Sequence, residues 1–362
     1  AFTEEPAWQP AFERIRDAAA ASAHGPADNE AWLAIIDSAC GPAANASPFI
    51  HLWQPAAQQA WDDLISSRPA DRSAVVIDDA AAHDVQLWLA GRMSAIAVRP
   101  LMERFTANRT ISDSLILALG EEPPQSGRDR YSAFIRAQAA DRLTSLSNDY
   151  PVLPRLLAVT LQHWTQTLCE LFNRLQDDAE IIADAFNINR PLQLLRLHYG
   201  AGDSHRGGRA VAILTLAGIG GPARIVYKPK DMRLEREYHR LVAEQFGAPC
   251  GQPPVQAVAV GEAYGYVTYV EHRPADSEAQ LAEFYRNAGR LLALLHLLGA
   301  TDCHYENIVA CADMPVLIDP ETLFASRIQG LPGVEETRQE NPDSANNDLS
   351  ESVLRIGMLP LW

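Results

Sequence analysis

The sequence predicts an α+β protein, helical over residues 1–190 and built around an antiparallel sheet from 191 to 362. Three observations carry this. Apolar residues recur at three-and-four spacing in the first half. After Pro191 the pattern turns to short β-branched and aromatic runs punctuated by Gly and Pro. The chain has 362 residues, 47% hydrophobic and 21% charged, enough to bury a sizeable core in two domains or one large one.

In the first region, the Ala-rich stretches 18–21 and 79–82 favour helix. Long apolar-periodic segments run over 87–105 and 157–186. In the second, Leu157, Leu161, Trp164, Leu168, Leu171, Phe172 and Leu175 mark one buried helix face. Residues 69–72 and 120–127 read as loops. In the second region, residues 209–216 and 223–228 are two strands joined by the Gly-rich segment 217–222, too short for a parallel crossover. A charged helix follows over 233–246, a strand over 264–270 and an amphipathic helix over 281–298. The loop 301–307 then leads through Ile308 and Val309 and a turn at Asp313 into the strand 315–319. The polar segment 330–350 is expected to be mobile.

Composition excludes several functions. Lys and Arg total 30 against 46 Asp and Glu, a net charge of -16, which argues against a general nucleic-acid binder. No apolar run is long enough to span a membrane, and no signal peptide is visible in the first residues. Five scattered cysteines, without a CxxC pair, argue against a disulfide framework and for a cytoplasmic location. No Cys/His zinc constellation is present. The chain lacks an initiating Met and stops inside a continuing motif, so a fragment is expected.

Four clusters carry chemistry. Lys228 ends a strand behind the Gly-rich turn. A lysine there can meet nucleotide phosphates, although the same place suits a solvated charge. Asp302, His304 and Asn307 form DxHxxN, in which Asp and Asn have the five-residue spacing of the protein-kinase catalytic loop. In such a loop the Asp accepts the attacking hydroxyl's proton and the Asn holds magnesium. Asp319, with Glu321 two residues on, returns on a strand twelve positions after Asn307, as a metal-binding carboxylate would. Asp203, His205, Arg206 and Arg209 precede the first strand among glycines. They could move protons or bind phosphate, or simply form a polar turn capped by Asp203.

These residues resemble the dehydratase domain of class II lanthipeptide synthetases (the LanM type). The resemblance rests on Asp203-Ser-His205, Val226-Tyr-Lys228-Pro, the run 301–308 and the run 315–324, with further matches at 150–155, 164–186 and 352–360. Pro320 departs from the family, where Leu is usual, but Asp319 and Glu321 are intact. The resemblance implies a lipid-kinase-like lobe that uses ATP and Mg2+. Its substrate would be Ser and Thr of a ribosomally made precursor peptide with a leader, first phosphorylated, then relieved of phosphate to leave dehydroalanine and dehydrobutyrine. It gives Asp302, His304, Asn307 and Asp319 the transfer and the metal, Lys228 a phosphate, and Asp203 with His205 the elimination. Arg206 and Arg209 are our own inference as phosphate contacts. The rest of the C-lobe and a zinc cyclase domain would lie beyond Trp362. An ordinary kinase, or a catalytically dead peptide-binding scaffold, are the alternatives. The first has no use for an elimination pair, and the second has no need of magnesium ligands.

Overall fold

The computed structural model describes residues 6–23, 47–69, 73–107, 127–205, 207–248, 255–324 and 352–359. Of the segments and residues singled out above, 70–72, 120–126, 330–350 and Arg206 lie outside the described residues, as do two of the five cysteines, Cys40 and Cys250. The chain divides into two compact units, Ala1–Ala223 and Arg224–Trp362.

In the first unit, α1 (Gln9–Ala23) packs on α4 (Gly127–Ala140) and on the central helix α6 (Leu153–Asp177). Helices α2 (Gln54–Ser66) and α3 (Asp79–Ala107) complete the packing around it, and α5 (Thr144–Asp149) leads into it. All seven apolar positions predicted for the inner face of α6 are buried. At about 1.5–3 kcal/mol for each large apolar side chain, burying this face contributes on the order of 10 kcal/mol or more to the unit before the entropy cost of folding is set against it. The Trp164 indole N–H, inside this face, donates to the carbonyl of Val85 on α3 at 3.2 Å. The single helix expected over 157–186 is two. Asp178 leaves helical geometry (φ -99°, ψ 8°), and α7 (Ala179–Phe186) begins after it.

The first region is not purely helical, which corrects the sequence reading. Val75–Ile77 forms β1, which pairs in parallel with β2 (Leu192–Tyr199), with Val75 opposite Leu192. Three β-branched residues are too few to show alternation, and their partners lie more than a hundred positions away. β2 is antiparallel to β3 (Ala212–Gly218), so this sheet is mixed rather than antiparallel throughout. The register shifts between Leu194 and Arg196. Near that shift Asp84 of α3 accepts both Nε and Nη2 of Arg196 at 2.7 Å, and the N–H of Leu197 at 3.1 Å. The fork geometry clamps α3 to the strand. A two-residue turn, Ile219–Gly220, separates β3 from β4 (Gly221–Lys228), a connection of hairpin length.

In the second unit, β4, β6 (Tyr264–Thr268) and β5 (Ala257–Val260) pair antiparallel in that order. α8 (Arg233–Phe246) falls on the residues predicted for it and packs on β5. Gly265, opposite Lys228, is needed for packing: a Cβ there would lie 2.2 Å from the carbonyl of Val258 and 2.7 Å from Met232. α9 (Glu278–Leu297) packs on β8 (Met314–Leu317), which pairs antiparallel with β7 (Ile308–Cys311). Tyr238, Leu291, Leu295, Cys303, Leu317 and Ile356 share one core beneath the predicted catalytic loop.

Candidate functional site

Lys228 is not a solvated charge. Its side chain is 8% exposed, and the ammonium donates to Glu235 Oε1 at 2.8 Å and to the carbonyl of Ile318 at 2.6 Å. Glu235 sits in the first turn of α8, seven residues on, and its own side chain is 4% exposed. Burial pushes its carboxyl up, but neighbouring His239 and the Lys228 ammonium outweigh this and hold it below the ordinary glutamate value. His239, one turn further along α8, places Nε2 3.7 Å from Glu235 Oε1, beyond hydrogen-bond length. A strand lysine paired with a glutamate on the following helix is the arrangement by which protein kinases hold their phosphate-binding lysine.

The carbonyl that Lys228 meets belongs to the residue before Asp319. On the facing strand the N–H of Ile318 donates to the carbonyl of Asn307 at 2.9 Å. Strand pairing thus brings Asn307 and Asp319 to the same end of the β7–β8 ribbon, and Lys228 to that end as well. Lys228 lies 79 positions before Asn307 and 91 before Asp319, yet all three come to this end of the ribbon.

The loop before β7 is shaped by its own side chains. Asp302 takes φ 56°, a left-handed conformation that Asp tolerates better than most residues but that still costs energy. The Cys303 N–H, donating to the Ile356 carbonyl at 2.8 Å, fixes the chain just after it. Asn307 Nδ2 donates to the Asp302 carbonyl at 2.9 Å, which commits the amide nitrogen and presents Oδ1 as an acceptor for a cation. His304 Nδ1 accepts the Glu306 N–H at 3.3 Å, so its neutral ring carries the proton on Nε2, 3.4 Å from Asp302 Oδ1. The His304 ring thus stands beside the carboxylate of Asp302, which remains more than half exposed. Burial, reinforced by Asp302, pushes the Cys303 thiol up to about 11.

Asp319 and Glu321 share a cation already. Lys230 Nζ bonds to Asp319 Oδ1 and reaches Glu321 Oε2 at 2.8 Å. Burial pulls its ammonium down, but these two carboxylates prevail and raise it above the ordinary lysine value. Oxygens of Asn307, Asp319 and Glu321 are the hard donors magnesium takes, and a lysine serving the two carboxylates shows that they attract positive charge. Among the described residues no group of three or more His, Cys, Asp or Glu side chains gathers into a metal cage.

Asp203, His205 and Arg209 belong to the first unit, on the loop between β2 and β3. Its stem is anchored and its tip is in solvent. The His205 N–H donates to the Arg209 carbonyl at 2.8 Å, and Arg209 Nε donates to both oxygens of Glu170 on α6 at 3.1 and 2.9 Å. The Tyr199 hydroxyl donates to the Gly208 carbonyl at 2.9 Å. Gly208 has φ 86°, and a Cβ there would lie 2.5 Å from that of His163, so only glycine fits. Asp203 and His205 are exposed, and among the described residues Asp203 makes no capping hydrogen bond.

Two residues, Glu235 and Glu170, escaped the sequence reading, and Lys230 was seen there without its role. Glu235 is one of several acids on a charged helix, and only the side on which Lys228 lies distinguishes it. Glu170 lies 39 positions before its partner. An i+7 search from Lys228 into the next helix would have found the first.

A family model described as a domain of unknown function (DUF4135) matches residues 150–362. The chain is also 22% identical over 257 residues to the lacticin 481/lactococcin biosynthesis protein LcnDR2 of Lactococcus lactis subsp. lactis. That match covers 68% of this chain and 26% of the relative, so the chain spans about a quarter of the length of the curated relative it matches. Among the described residues no helix is long and apolar enough to cross a membrane.

Proposed function

The chain belongs to this family of domains of unknown function (DUF4135), and from that premise we propose that it is the dehydratase part of a lanthipeptide synthetase. In this reading it transfers the terminal phosphoryl group of ATP to Ser and Thr of a precursor peptide and then eliminates the phosphate. The relative's role in lacticin 481/lactococcin biosynthesis supports the substrate class. The observation that supports the chemistry most is the convergence of Lys228, Asn307 and Asp319 at one end of the β7–β8 ribbon, with Lys228 held by buried Glu235.

Each residue then has a task. Asp302, beside His304, accepts the proton of the peptide hydroxyl as that oxygen bonds to the terminal phosphorus of ATP, while the bond from that phosphorus to the bridging oxygen breaks with its electrons leaving on ADP. Lys228 meets the phosphates, and Glu235 keeps its ammonium aimed. Asn307, Asp319 and Glu321 would hold Mg2+, which when bound neutralises charge developing on the transferred group. For the second step, Asp203 and His205 serve as the acid–base pair. The α-proton passes to the base, its bonding electrons become the Cα=Cβ double bond, and the Cβ–O bond breaks with its electrons leaving on phosphate. Arg206 and Arg209 supply positive charge toward the leaving group, Arg209 being steadied by Glu170.

Mass measurement of a precursor peptide co-expressed with the protein tests this. Loss of one water per modified residue is expected. Gain of phosphate alone would leave a kinase without elimination, and an unchanged peptide would leave a binding scaffold.

A further inference from the structure

Two lysines at the end of β4 face different duties. Lys228 is buried against Glu235, whereas Lys230 is 31% exposed and bonds to Asp319 and Glu321, which are 35% and 55% exposed. Lys230 thus occupies the two carboxylates to which the reading above gives the divalent cation. An ammonium and a divalent cation draw on the same oxygen lone pairs. The ammonium brings three donors and no acceptor, so it cannot act as a ligand once the metal arrives and can only repel it. Pro229 fixes the backbone between the two lysines, while the flexible four-carbon stem lets the Lys230 ammonium withdraw.

We infer that Lys230 is the resident counter-ion of Asp319 and Glu321, which a divalent cation must displace, and that it sets metal affinity before nucleotide binds. The inference rests on the assignment of those carboxylates as metal ligands. Its physical content is a competition: with an uncharged residue at position 230, the metal has no ammonium to expel from Asp319 and Glu321. Two partly exposed ion pairs at this site make the expected gain in affinity about three- to tenfold.

The test is calorimetric titration of Mn2+ into the full chain without nucleotide, using wild type, Lys230→Gln, Lys230→Arg and Asp319→Asn. Lys230→Gln should bind Mn2+ about three- to tenfold more tightly than wild type, and Lys230→Arg, which keeps the charge, should not. Should Lys230→Gln fail to fold, Lys230→Met keeps the aliphatic stem and gives the same reading. If Asp319→Asn loses Mn2+ while Lys230→Gln binds it no better than wild type, the metal assignment stands and the counter-ion role is overturned. If Asp319→Asn binds as wild type does, or no variant binds at all, the metal assignment itself fails and takes this inference with it.

Discussion

Replacing Glu235 with alanine strips the counter-charge from a lysine whose side chain is only 8% exposed. What remains for the ammonium is the Ile318 carbonyl at 2.6 Å, a dipole in place of a full charge. Removing one partner of a buried pair costs about 3–5 kcal/mol, because the desolvated charge left behind is uncompensated. For a unit of this size each kcal/mol lowers the melting temperature by roughly 3 °C, so Glu235→Ala should melt about 10 °C below wild type. A double variant, Lys228→Met with Glu235→Leu, should recover most of the loss, since neither charge is then buried alone. The pH dependence has a definite sign. The Glu235 carboxyl is held below its ordinary value of 4.5 when folded, so its contribution is complete above about pH 4.5. It is lost as pH falls through the folded-state value. Glu235→Gln should therefore show a shallower loss of stability on acidification than wild type. Circular-dichroism melts across pH 3–7 measure both effects, a range chosen to bracket the carboxylate (about 4). A Glu235→Ala protein melting within about 2 °C of wild type would refute the reasoning, because at the rate above the pair would then contribute under about 1 kcal/mol.

Further outcomes follow from the site geometry. Asp302→Asn and Asp319→Asn should each lower peptide phosphorylation by at least about a hundredfold, and the double variant should lose little more, because the groups act together. Quantitative mass spectrometry of the peptide checks it, and near-normal dehydration by Asp319→Asn would contradict its metal role. His205→Ala should still transfer phosphate and accumulate phosphopeptide, with an unchanged melt because the side chain is exposed. A folded variant that dehydrates at the normal rate would end that assignment. Gly208→Ala forces a Cβ into His163 at φ 86° and should destabilise the first unit by about 1–3 kcal/mol, read as a lowered urea midpoint.

The local patterns were legible in the sequence by itself. The inner face of α6 and the extent of α8 follow from helical periodicity, a property of residues three and four apart. The DxHxxN spacing and the strand before Asp319 were equally plain, because a short loop and a tight ribbon fix their own geometry. What depends on distant partners was not. β1 exists because Val75 meets Leu192, and three apolar residues carry no signal of a partner more than a hundred positions away. β2 and β5 went unread as well, the first interrupted by a register shift and the second only four residues long. Glu235, Glu237 and Glu244 look alike on one helix, yet only Glu235 turns inward to Lys228. Lys228 and Lys230 likewise differ by two positions in sequence. Their separate roles arise because packing buries one against α8 and leaves the other over Asp319 and Glu321. Burial decides which charges must pair, and burial is a property of the folded chain, not of any window along it.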